Sequence, residues 1–82
     1  MELISNMIKT ITKNNFYKEC EKGDVLIIDY KNTGKYLFLV ERVDNENKTL
    51  VLRDRFHPNY RAESFFNFEN LENVNNITRI RL

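Results

Sequence analysis

Eighty-two residues, 41% of them hydrophobic and 30% charged, predict one folded domain spanning 1–82, too short for two cores and too apolar for disorder. Lysine and arginine number 13 against 12 acidic residues, a net charge of +1. That balance excludes an acidic mimic of nucleic acid and a nonspecific polycationic coat, so charge-driven recognition has to come from local patches.

The chain opens Met-Glu-Leu-Ile-Ser-Asn, without the basic start and long apolar run of a secretory leader. Leu3, Ile4, Met7, Ile8 and Ile11 recur at helical spacing, and the period predicts an amphipathic helix over about residues 2–13, ended by Asn14-Asn15. Its apolar stripe is expected to pack on the remainder of the fold. Phe16, Tyr17 and Cys20 form a short apolar bridge; residues 1–20 are thus a helix and connector. As the sole cysteine, Cys20 excludes an internal disulfide and points to a reducing compartment.

Gly23 punctuates the entry into a strand, Val25 to Tyr30, whose apolar residues fall on both faces. Lys31-Asn32-Thr33-Gly34 reads as a turn with Gly34 at a positive φ. Tyr36 to Val43 and Lys48 to Phe56 read as a hairpin around Asp44-Asn45-Glu46-Asn47. Leu37 and Leu39 share one face of its first strand, and Tyr36, Phe38 and Val40 the other. Val43 is out of phase with Val40, which predicts a bulge near Glu41-Arg42. On the return strand Leu50 and Leu52 alternate with Thr49, Val51 and Arg53.

Pro58 breaks regular pairing between Arg53 and Arg61. Ala62 to Phe68 then predicts a strand, Phe68, Leu71 and Val74 a short helical or 3₁₀ turn, and Ile77 to Leu82 a last strand. Strict alternation there places Ile80 and Leu82 inward and Arg79 and Arg81 outward. The longest apolar runs, Val25 to Ile28 and Tyr36 to Val40, are too short to cross a bilayer, so the expected location is cytoplasmic, with no membrane partner.

From Lys22-Gly23-Asp24-Val25, through the turn from Val43 to Leu50, to the turn from Phe68 to Val74, the order of elements over residues 22–82 resembles the Src-homology-three-like small β-barrels. The resemblance implies a small five-stranded antiparallel barrel, and with the N-terminal helix read from its spacing packed on it the expected fold is mainly β, α+β. It departs from the proline-peptide-binding branch in lacking tryptophan and an acidic specificity loop. Such barrels serve as protein, RNA or DNA binding modules, and fold alone does not choose among them.

Candidate site residues cluster in the loop. Arg53, Arg55 and Arg61 suit phosphates or carboxylates, while Phe56, His57 and Tyr60 suit stacking or a partner's pocket; Arg79 and Arg81 extend the patch. Asp54, Glu63, Glu69 and Glu72 lie close enough in sequence to pair with those arginines. One His and one Cys offer too few nitrogen and sulfur ligands for zinc, and no glycine-rich phosphate loop exists. An enzyme would need Cys20 or a carboxylate brought beside His57 with a third orienting group. The expectation is a non-enzymatic module without cofactor or metal that binds a larger protein or protein complex; the alternative is a nucleic-acid-binding barrel using the arginine-rich loop. Homodimerisation by edge-strand pairing, through Ile77 to Leu82, is a further expectation. An Asn-, Lys- and Ile-rich composition fits a phage or mobile-element regulator or inhibitor from a low-GC host.

Overall fold

The computed structural model describes residues 7–54 and 63–82. Their sheet has six strands: β1 (Ile8–Thr10), β2 (Val25–Tyr30), β3 (Gly34–Asp44), β4 (Thr49–Arg53), β5 (Glu63–Phe66) and β6 (Val74–Ile80). Neighbours run β1-β6-β2-β3-β4-β5, and every pairing is antiparallel. The architecture is mainly β and compatible with a small barrel-like fold.

No helix of seven or more residues occurs among the described residues, so the expected N-terminal helix is corrected. Where it was to continue, Ile8, Lys9 and Thr10 pair with Ile80, Arg79 and Thr78. The reason is side-chain branching. Ile8, Thr10, Ile11 and Thr12 are β-branched, which restricts χ1 against a helical turn and suits a pleated strand. Residues 1–6 lie outside the described residues. The count of five strands is corrected with it, β1 being the sixth.

The hairpin follows the sequence closely. The Asp44 carboxylate accepts from the Asn47 backbone N–H at 3.0 Å and from its carboxamide at 2.8 Å, closing the turn before Lys48 takes the left-handed conformation at φ 53°. Gly34 opens β3 at φ +95°, as its turn requires.

Two register shifts shape the sheet. Val40 pairs with Leu52 and Arg42 with Val51, leaving Glu41 as the extra residue of a bulge. That insertion turns Val40 and Val43 to the same side, and both belong to or pack on the core. A second shift falls where Asp29 pairs with Asn76 and Tyr30 with Val74. Asn75 is the insertion there, and it turns Val74 and Ile77 inward together.

The core lies on one face of the curled sheet. Leu26, Ile28, Val40, Leu50, Leu52, Phe66, Val74 and Ile77 supply it from five strands, and Ile11, Phe16, Tyr17 and Cys20 close it from the connector. Phe16 is fully buried, and its ring meets Tyr17, Phe66 and Phe68 edge-on at centroid distances of 5.4, 5.3 and 5.3 Å. The connector carries a 3₁₀ turn at Lys13–Asn15, and a second 3₁₀ turn at Phe68–Asn73 joins β5 to β6, as the spacing of Phe68, Leu71 and Val74 predicts.

Candidate functional site

The last strand reverses the expected facing of its arginines. Ile77 is buried in the core, so Arg79 and Arg81, two and four residues on, turn to the same side. Arg79 is only 7% exposed, whereas Leu82 is 97% exposed. The Arg79 Nη1 donates to the Glu19 carbonyl at 2.7 Å, and its buried Nε has no partner among the described residues. Arg81 grips Asp24 with both arms of its fork, Nε to Oδ1 at 2.9 Å and Nη2 to Oδ2 at 2.8 Å. Alternation alone pointed them to solvent. Their partners lie more than fifty residues upstream, and periodicity cannot report such a pairing.

Burial pushes the Asp24 carboxyl up, but the Arg81 fork, the Glu21 backbone N–H at 2.7 Å and the two arginine charges outweigh it and hold the group below the usual carboxylate range. Glu19 is also lowered, chiefly by the Lys9 ammonium at 2.7 Å, against its own partial burial. Together these contacts clasp the connector to the end of the sheet.

Cys20 sits beside the clasp as a small buried hydrophobe. Burial, with the Asp24 charge, pushes its thiol up to about 12 despite the opposing pull of Arg79 and Arg81. A thiolate is the reactive species, so the folded protein is expected to react with a thiol-specific disulfide reagent at pH 8 at least about 100-fold more slowly than in denaturant. Stopped-flow absorbance reads both rates. Equal rates would place Cys20 at an accessible surface instead.

Arg53, on β4, pairs with Glu41 at 2.6 Å and with Glu63 at 3.6 Å, and Arg42 reaches Glu63 at 3.7 Å. The loop residues Arg55, Phe56, His57, Tyr60 and Arg61 lie outside the described residues. Of the three described members of the expected patch, Arg53 lies on the opposite sheet face from Arg79 and Arg81, and all three are engaged within the chain. Among the described residues no group of His, Cys, Asp and Glu is arranged to hold a metal ion, and no helix is long and apolar enough to cross a membrane.

A different site emerges at the end of β2. Tyr30, Asn32 and Thr33 on one side and Asn70 and Asn73 on the other line a half-open cleft of about 320 Å³. The Lys31 backbone N–H donates to the Asn73 carbonyl at 2.8 Å and ties the two walls together. Asn67 caps the second 3₁₀ turn: its Oδ1 accepts from the Glu69 N–H at 3.0 Å, while its own N–H donates to the Asn70 Oδ1 at 2.9 Å. That bond fixes the Asn70 carboxamide and leaves its Nδ2 as a donor. Tyr30 stands edge-on to Tyr36 at 5.8 Å, giving the cleft an aromatic wall.

The five lining side chains carry no formal charge. Three carboxamides and the Thr33 and Tyr30 hydroxyls offer both donors and acceptors, and the Tyr30 ring offers an apolar surface. Such a set suits the amide groups of an extended polypeptide and lacks any cation for a phosphate. In sequence Lys31 to Gly34 reads as a plain turn; the signal for the cleft is Tyr30 followed by Asn32-Thr33, with Asn70 and Asn73 before the last strand.

Comparison with protein-family models, with curated proteins and with solved structures finds no match.

Proposed function

We propose that the protein is a small non-enzymatic protein-binding module, a regulator or inhibitor that acts on a larger protein complex and holds an extended segment of its partner in the Tyr30 cleft. The observation that carries this reading is the uncharged, amide-rich lining of the cleft. Its volume stands near the lower end of ligand pockets, about 300 Å³, which suits a short stretch of chain. The Src-homology-three-like reading of residues 22–82 is supported by the neighbour order β6-β2-β3-β4-β5, with a 3₁₀ turn between β5 and β6; β1 is an addition to it. A phage or mobile-element origin rests on composition alone.

The nucleic-acid alternative draws less support. Arg79 and Arg81 are bound to the connector, and Arg53 to Glu41 and Glu63, so these three form no cationic row for a backbone.

Selection of a random peptide display library against the protein tests the proposal. Peptides are expected to be retained, and Asn32→Ala combined with Asn73→Ala to weaken them on the order of thirtyfold, two hydrogen bonds at about 1 kcal/mol each. Recovery of nothing above background, or peptides indifferent to the double variant, would contradict it. So would tight RNA or DNA binding that falls steeply with salt.

A further inference from the structure

The outer face of the sheet carries a second surface. Register aligns Ile8 with Ile80, Ile80 with Val25 and Val25 with Leu39, a continuous aliphatic row across β1, β6, β2 and β3. Ile27 and Leu37 pair in the next row, beside Thr78 and Thr10. Lys9, between Ile8 and Thr10, reaches Glu19 on the connector side, which fixes the row on the opposite face. None of the six aliphatic residues belongs to the core or packs on it. Ile8 is 52% exposed and the other five are partly exposed. The connector and the second 3₁₀ turn, the described segments that pack against the sheet, cover its inner face through Phe16, Tyr17 and Leu71.

We infer that this face pairs with the same face of a second copy of the chain, sheet against sheet. Composition favours a copy over an unlike partner. The block is purely aliphatic and hydroxyl, without the Trp, Tyr or Arg anchors that dominate unlike interfaces, and it matches the more apolar make-up of homodimer contacts. Charge favours it as well. The same face carries Asp29 paired with Lys35 at one end and Arg53 beside Glu63 at its flank, so each rim presents both signs. A two-fold axis can match such a rim with itself, whereas a partner of one sign meets repulsion at half of it. Stacked sheets interdigitate such side chains at about 10 Å.

Area sets the strength. Four strands at about 4.8 Å and about five residues at about 3.4 Å give a face of roughly 19 by 17 Å, below the about 800 Å² per partner of a standard interface. The dimer is therefore weak and transient. It leaves the Tyr30 cleft, built on the inner side of the β2–β3 turn and the second 3₁₀ turn, open in both copies, and it stands independently of what that cleft binds.

Sedimentation velocity from about 5 µM to about 1 mM, with ¹⁵N–¹H spectra over the same range, tests the pairing. The expected result is a mass rising from one chain towards two, with shifts centred on Val25, Ile27, Leu37, Leu39 and Ile80. Leu39→Lys is expected to weaken pairing at least tenfold with circular dichroism unchanged; should that variant not fold, Ile8→Lys at the exposed edge strand serves in its place. A monomer at 1 mM, shifts centred on Phe65 or on the cleft, or undiminished pairing in the folded lysine variant would overturn the inference. Adsorption to phosphatidylcholine vesicles without self-association would overturn it too, assigning the face to lipid.

Discussion

Phe16→Ala is expected to lower the unfolding free energy by about 3–5 kcal/mol, the range for truncating a buried aromatic. The site is at the upper end of that range for a geometric reason. Phe16 is fully buried where the connector meets the sheet, and its ring stands edge-on to Tyr17, Phe66 and Phe68. Each such aromatic pair adds about 0.5–1.5 kcal/mol beyond burial. The connector is anchored at both ends, by Ile11 to Ile77 and by Gly23 to Val40, so collapse into the void is restricted. An 82-residue chain carries about 4–12 kcal/mol in total. The variant should therefore lie close to unfolding, with Tm lowered by at least about 15 °C. Urea titration followed by circular dichroism measures it. A loss below about 1 kcal/mol would mean that Phe16 does not fill the core.

Arg81→Met is expected to cost about 3–5 kcal/mol at pH 7, because it leaves the Asp24 carboxylate buried without its cation. Asp24 is 2% exposed, and among the described residues the Glu21 N–H would remain as its hydrogen-bond donor. The reverse change, Asp24→Ala, should cost less, since the Arg81 side chain is 35% exposed and can turn to water. The pH dependence has a definite sign. In the wild type the Asp24 pKa is depressed by Arg81, so its contribution is present above the unfolded carboxyl value of about 3.9 and is lost as pH falls through the lower folded value. In the variant the fork and charge of Arg81 are gone and burial is opposed by the Glu21 N–H and the Arg79 charge, so the Asp24 pKa rises relative to the wild type and the variant gains relative stability as Asp24 protonates. The difference between the two proteins therefore narrows from pH 7 towards pH 4. A gap that stays constant or widens on acidification would show that the two residues are not coupled.

Much of the fold is legible from residue phase. Val40 and Val43 cannot share a face in a regular strand, and the bulge at Glu41 resolves that conflict; Asp44, Asn47 and Gly34 announce their turns through local hydrogen bonding and backbone freedom. At the last strand residue phase points the other way. Ile77 and Ile80 cannot both face inward, and the bulge at Asn75 selects Ile77. Arg79 and Arg81 then turn inward because Asp24 and the Glu19 carbonyl receive them, which no local pattern encodes. At the N-terminus, helical spacing and β-branching compete, and pairing of Ile8 to Thr10 with β6 decides for the strand. Neither the cleft nor the aliphatic face is a sequence motif: one is built from two turns nearly forty residues apart, the other from register across four strands.

The most direct test of the binding reading is a ¹⁵N–¹H titration of the protein with a peptide recovered by selection. The account predicts shifts centred on Tyr30, Asn32, Thr33, Asn70 and Asn73, with the Asn70 and Asn73 side-chain amides among those that move. Shifts confined to residues 55–62, with the cleft unmoved, would contradict it and return the site to the arginine-rich loop.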